Sequence, residues 1–321
     1  MHAFRINRFT DPPVLQDIPD PGFPGPGQVR IAIKACGLNF ADLLMARGTY
    51  QDMPDPPLTL GMEIAGTITN VGPGVTDWQP GARVAVYGGH GGLAEFGLFP
   101  ASRCVALPET MDAETAAAFQ IAYGTSHMAL DYKAGLKPGE TLLVLGAAGG
   151  VGLTAVEIGK LMGARVVAVA RGEHKRETAR RAGADLTFDS TAPDLKAQLK
   201  TIGGVDVVFD SVGGDATRAA LSACAPEARI LLIGFASGDL PDLPPNHLLV
   251  KNVSVMGFWW GGFFKFNPKP VTDSLATLFK WQGEGRLAPH ISYRLPLERA
   301  AEGLDLLSAR QATGKVVIRV A

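Results

Sequence analysis

The stretch "TLLVLGAAGGVGLTAVEIGK", Thr141 to Lys160, limits what this chain can fold into more than any other. An apolar run leads into glycines at 146, 149, 150 and 152, and apolar residues then recur at helical spacing. An apolar run without alternation reads as a strand buried on both faces. Glycine lets the chain turn sharply from strand to helix. It also lets backbone N–H groups approach a pyrophosphate, which the helix N-terminus stabilises. In the fingerprint frame the turn reads Ala147-x-Gly149-x-x-Gly152, with alanine in the first slot. A lone glycine pattern is weak, but the strand before it and the helix after it are the context that marks a dinucleotide site.

The residues around this turn extend the same plan. "RVVAVA", "VDVVFDSVGG", "ARILLIGFASG" and "NVSVMGF" read as further buried strands, and "EHKRETARRAGA" as a helix polar on most faces. Strands alternating with helices predict an α/β domain with a doubly wound parallel sheet. Before residue 120 the chain is dense in Gly and Pro, and "VRIAIKACGL", "EIAGTITNVGPGV" and "ARVAVYGG" read as short strands of a β-rich domain. Helices are expected in "VTDSLATLFKWQGEG" and "LERAAEGLDLLSAR", and a strand in "GKVVIRV". The expected organisation is discontinuous: 1–122 with 263–321 as the β-rich domain, and 123–262 as the dinucleotide-binding domain.

A chain of 321 residues is long enough for two domains. Its 30 basic and 31 acidic residues leave a net charge of −1, which gives no footprint for nucleic acid. No apolar run is long enough to span a membrane. The start, "MHAFRINRF", carries charges where a signal peptide needs an apolar core, and three scattered cysteines speak for a reducing compartment. A cytoplasmic protein is expected.

An acid that would bind a ribose 2′-hydroxyl is expected about 20 residues after the glycine turn. There the strand ends on Ala170 and Arg171, with Lys175 and Arg176 close behind. A cationic pocket suits a 2′-phosphate, so NADP(H) is expected over NAD(H). Glu173 is an alternative ribose ligand, and the cations also read as a solvated helix start. The loops "FDSVGGD" and "IGFASG" end strands, where ligands of open α/β sheets bind.

In "PLTLGMEIAGTI", Glu63 stands between Met62 and Ile64 in an apolar strand, and a buried carboxylate needs a partner. Together with "GLNFADLLMARGTY", "YGTSHMAL", "LKPGETLLVLGAAGGVG", "RAGADLTFDS" and "DSVGG", this stretch falls in an order that resembles the medium-chain dehydrogenase/reductase superfamily. The branch it resembles is that of the zinc-free, zeta-crystallin-like quinone oxidoreductases. The resemblance covers nearly the whole chain and implies a Rossmann domain with a β-rich, GroES-like catalytic domain. Zinc-dependent relatives carry a histidine ligand in a Gly-His-Glu stretch, which here is Gly61-Met62-Glu63. Asn39 stands at their cysteine position, and no cysteine lies between Cys104 and Cys224. Methionine and asparagine do not replace imidazole and thiolate, so no metal is expected, and Met62 reads as a core filler. Glu63 should then bond to a nearby cation or backbone donor.

The resemblance implies NADPH-dependent reduction of a quinone or an activated alkene by a homodimer that binds neither nucleic acid nor membrane. It implies Tyr50 as proton donor, although Tyr50 also reads as a surface-loop aromatic, and Asn39 as a second catalytic residue. It puts cofactor contacts at Asn39, Lys315 and Thr125, and at Gly149, Gly150 and Val151 of the glycine turn. Arg171 and Lys175 follow, then Ser211, Gly234, Phe235 and Ala236 on the two strand-end loops, and Phe258 and Trp259. The aromatic stretch "GFWWGGFFKF" fits a pocket wall or a dimer contact equally. Two other functions stay open: an enoyl-thioester or alkenal reductase, and a non-enzymatic NADPH-binding structural or RNA-binding protein.

Overall fold

In a computed structural model the chain divides into two units, 1–121 with 289–321, and 122–288. The structure describes residues 1–9 and 11–320. The expected return to the first unit at residue 263 therefore lies inside the second. The reason is packing. The helices Trp260–Phe266 and Lys269–Gly283 belong to the second unit, where Ser274 Oγ bonds to His127 Nδ1 at 2.9 Å and the Trp281 ring meets the His127 ring edge-on at 5.2 Å.

The second unit is built on six parallel strands. Their order is Leu186–Asp189, Arg165–Ala170, Thr141–Leu145, Val205–Asp210, Cys224–Leu232, Ser254–Gly257. Counted along the unit this is 3-2-1-4-5-6, the order of a Rossmann sheet. The strand Thr141–Leu145 is buried at every residue, as its unbroken apolar run requires. The crevice where strand order reverses lies beside it, at its carboxyl end.

The first unit centres on a sheet ordered Ile291–Pro296, Lys315–Arg319, Gln28–Leu38, Glu63–Val71, Arg83–Tyr87, Cys104–Ala106, with Phe96–Pro100 also paired to Gln28–Leu38. A smaller sheet joins Val14–Asp17, His2–Ile6 and Leu58–Thr59. Val29, Ile31, Ile33, Ile64, Ile68, Val84, Val86 and Phe99 form the core. The segment after residue 289 is not an appendage, because Lys315–Arg319 is an interior strand, paired antiparallel with Gln28–Leu38 and parallel with Ile291–Pro296. No helix among the described residues is long and apolar enough to cross a membrane.

Candidate functional site

In the second unit the chain leaves Thr141–Leu145 through Gly146, whose φ of 73° is one that L side chains seldom adopt. Gly149 caps the helix Gly150–Leu161, and that helix has no acid in its first turn to neutralise its N-terminus. The glycines differ in what they answer to. A Cβ on Gly152 would lie 2.1 Å from the Gly146 carbonyl oxygen, so close helix–strand packing demands glycine there. At Gly149 the nearest atom to a Cβ is 3.4 Å away and φ is −78°, so the fold itself tolerates a side chain. The opening there suits a phosphate against backbone N–H groups, and in that respect the residues present fit a dinucleotide.

The neighbouring residues brace this opening. Ser126 Oγ donates to the Val151 carbonyl at 2.8 Å, and Thr154 Oγ1 donates to the Ala122 carbonyl at 3.0 Å. These bonds fix the helix Gln120–His127, which carries the buried Thr125, to the first turn after the glycines. The sequence does not mark Ser126 or Thr154, since nothing local signals a hydroxyl that reaches 28 residues along the chain. Ser211 Oγ donates to the Leu145 carbonyl at 3.0 Å. The Ala236 N–H donates to the Ser211 carbonyl at 3.1 Å, so the loops holding Ser211 and Gly234, Phe235 and Ala236 meet outside adjacent strand ends. Asp210, fully buried, organises the first loop by accepting from the Val212 and Gly213 N–H groups and the Thr217 hydroxyl.

Phe258 is buried and follows the last strand, its N–H on the Leu232 carbonyl at 3.1 Å. Trp259 packs over Gly262 and Trp260 over Gly124, where a Cβ would come within 2.7 Å of the indole. Both tryptophans thus pack within the second unit. Arg171 caps the helix Gly172–Arg181 and is exposed, and Lys175 lies one turn on. Glu173 is taken up by Arg176 and Arg180, each at 2.6 Å.

In the first unit the sheet register sets Glu63 between Gly37 and Tyr87. Glu63 is fully buried and Lys315 is 4% exposed. The Lys315 ammonium donates to Glu63 Oε2 at 2.9 Å and to Asn39 Oδ1 at 2.7 Å. Glu63 Oε1 accepts the Ile121 N–H at 2.9 Å. Asn39 Nδ2 donates to the Gly37 carbonyl at 3.2 Å and to Glu63 Oε2 at 3.3 Å. The carboxylate therefore does meet a cation and a backbone donor, which is how its burial is compensated. A side chain at position 37 would collide with the Ala117 carbonyl oxygen, 1.9 Å from the Cβ position, so the approach of Ala117 to the sheet depends on glycine.

Asp42 is buried beside this network and is structural. Its carboxylate accepts the Asn39 N–H at 2.8 Å and the Gly61 N–H at 3.2 Å, while burial raises its pKa to about 6. Met62 is 2% exposed, and its carbonyl anchors the turn at Gly88 with a 2.9 Å bond. Tyr50 is grouped with Tyr87, which Asp42 also reaches electrostatically. It lies within electrostatic reach of Tyr87, whose hydroxyl burial holds protonated, and Arg103 stands 5.8 Å over the Tyr87 ring. The structure thus brings Asn39 and Lys315 together, and places Tyr50, Asp52, Arg103 and Asp42 within electrostatic reach of Tyr87.

These residues do not fit zinc. Met62 offers a thioether, the Asn39 oxygen is on an ammonium, and that fixed ammonium would repel a dication at Glu63.

The fold and this replaced ligand set can be compared with known proteins. Residues 25–109 match the alcohol dehydrogenase GroES-like domain family, and residues 150–277 match the zinc-binding dehydrogenase family. The chain is 37% identical over 322 residues to a quinone oxidoreductase-like protein 2 homolog of Nematostella vectensis, covering 98% of this chain and 88% of that one. The chain belongs to the medium-chain dehydrogenase/reductase superfamily, in its zinc-free quinone oxidoreductase branch. Solved members of the superfamily are similar to this chain along its full length. The quinone oxidoreductase of Thermus thermophilus, solved also in complex with NADPH, has a TM-score of 0.87 and 32% identity over all of both chains. The Escherichia coli quinone oxidoreductase, complexed with NADPH, has a TM-score of 0.91 and 26% identity, again over all of both chains. The chain is an oxidoreductase of this superfamily, with a Rossmann domain and a GroES-like domain.

Proposed function

We propose that this chain is an NADPH-dependent, metal-independent reductase that transfers hydride to a quinone. The observation that carries the reading is the Lys315 ammonium held by Glu63 and by Asn39, which stands at the cysteine-ligand position of the zinc relatives. Without a Lewis acid, an alkoxide has no evident stabiliser, so alcohol oxidation is disfavoured. An acceptor with a low-lying vacancy needs no such help, and a quinone is one. The NADPH complexes of the two solved relatives support the choice of cofactor. NADPH, held by its pyrophosphate at the glycine turn, would supply the hydride when bound.

The chain's own residues then orient and protonate. An ammonium has three N–H donors. Glu63 and Asn39 use two of them, and the third is assigned to the cofactor. Arg171 and Lys175 are assigned to its 2′-phosphate. Gly149, Gly150 and Val151 are assigned to the pyrophosphate, and Thr125, Ser211, Gly234, Phe235, Ala236, Phe258 and Trp259 to the remaining surface of the cofactor. Tyr50 is assigned as proton donor, since a phenol is protonated at neutral pH. Its test separates acceptors. Tyr50→Phe should slow reduction of an enoyl thioester more than that of a quinone, which can take its proton from solvent.

We also propose a cytoplasmic homodimer. Cys36, Cys104 and Cys224 are all free thiols, which suits a reducing compartment. The strand Ser254–Gly257 ends the parallel sheet, and the helix Pro245–Lys251 before it exposes Leu249 and Val250 at 77% and 74%. Exposed apolar side chains beside a sheet edge suit a second copy. Sedimentation of a Leu249→Lys, Val250→Glu variant should show the dimer lost.

The decisive assay follows NADPH oxidation with a small quinone and, separately, with a crotonyl thioester. Turnover of the quinone supports the reading. Turnover of the thioester alone replaces it with the enoyl reductase. If neither is turned over while NADPH still raises the melting temperature, a non-enzymatic binding protein takes its place.

A further inference from the structure

The helix Gly172–Arg181 opens at the end of the second strand of the parallel sheet, where the ribose 2′-substituent of a dinucleotide is read. This helix end already has an anion of its own. Asp189 ends the neighbouring strand, in register with Ala170. Its Oδ2 accepts the Gly172 N–H at 3.1 Å and lies 3.9 Å from Arg176 Nε. Its Oδ1 accepts the Thr191 N–H at 2.9 Å and the Thr191 hydroxyl at 2.7 Å. These bonds, those from Thr191 foremost, hold its carboxyl below the usual carboxylate range, so it is ionised at neutral pH. Arg176 is turned toward acids as well: Nη2 pairs with Glu173 at 2.6 Å, and the buried Nε makes no hydrogen bond. A Cβ at Gly172 would meet nothing within 4 Å, so the space over the turn is open.

We propose that Asp189 sets the cofactor preference of this chain, as an internal anion competing with a 2′-phosphate for the Gly172 N–H and for Arg176. The inference rests on the nucleotide-binding reading above and modifies its expected outcome. Arg171, Lys175 and Arg176 favour a 2′-phosphate, while Asp189 and Glu173 oppose it by like charge. A 2′-hydroxyl meets no such opposition, because it can donate to the Asp189 carboxylate. The wild-type chain should therefore discriminate weakly between phosphorylated and unphosphorylated ribose.

Two probes that differ only at the ribose isolate this effect: adenosine 2′,5′-bisphosphate and adenosine 5′-monophosphate. Calorimetric titration of the wild-type chain should give dissociation constants within about tenfold of each other. Asp189→Asn should bind the bisphosphate about tenfold more tightly and leave the monophosphate nearly unchanged, and the gain should shrink as ionic strength rises. Asp189→Ser, which removes the charge with a smaller side chain, should gain likewise for the bisphosphate while weakening the monophosphate, whose 2′-hydroxyl loses its acceptor, and Asp189→Glu should not gain. Should Asp189→Asn fail to fold, the Ser variant decides. Neutral variants that gain nothing, or gain equally for both probes, overturn the proposal. A wild-type chain that binds neither probe nor NADPH overturns the nucleotide reading itself, which is a separate result.

Discussion

Glu63 and Lys315 each supply the other's counter-charge, so removing one charge leaves its partner buried with neutral hydrogen-bond partners alone. Breaking such a pair costs about 3–5 kcal/mol. Glu63→Gln and Lys315→Met should each lower the unfolding free energy from urea titrations by that order, and the double variant should lose less than the sum, as a double-mutant cycle will show. Asp42 gives a pH dependence of opposite sense to an ordinary paired carboxylate. Burial raises its folded pKa to about 6, above the value near 3.9 expected when unfolded. Between those values the folded chain binds the proton more tightly, so stability contributed here grows as pH falls from about 6 to 4 and is lost as pH rises through 6. Asn at position 42 cannot titrate. The stability of wild type minus that of Asp42→Asn should therefore rise over that interval in denaturant titrations. At this scale sequence showed that Glu63 needed a partner and that Met62 could not serve zinc. It could not show that the partner was Lys315, because that contact spans 252 residues and no local pattern encodes it.

The glycine turn was legible as an element because its signal is local: apolar strand, turn and striped helix adjoin in sequence. Its glycines nonetheless do different work. Gly152→Ala drives a methyl against the Gly146 carbonyl oxygen and should lower the melting temperature together with nucleotide affinity. Gly149→Ala meets no clash and should keep the melting temperature within about 2 °C, yet weaken NADPH about tenfold by blocking the phosphate. A thermal scan paired with a titration separates the two outcomes. The helices Trp260–Phe266 and Lys269–Gly283 show what local signals omit. Their periodicity announces helices, but not which core they cover. That choice is made by His127 meeting Ser274 and Trp281, and it moves the end of the second unit to residue 288.

At the scale of the whole molecule, the alternation of strands and helices conveyed the nested plan, since parallel strands need crossovers and a β-rich half does not. Removing residues 289–321 should leave 122–288 folded and the remainder of the first unit open to protease, because the excised strand Lys315–Arg319 lies inside its sheet. Limited proteolysis followed by mass spectrometry would then recover a fragment near 122–288. The same nesting sets a timetable on the ribosome. Glu63 is made 252 residues before Lys315, so it must wait until the whole enclosed unit has been translated before its ammonium arrives. During that interval a carboxylate destined for the interior has to stay hydrated, and the strands flanking it have to stay unzipped. The enclosed unit meanwhile has all its strands in hand. Translation therefore favours a nascent chain whose enclosed unit ripens first and whose first unit closes around a late-arriving lysine.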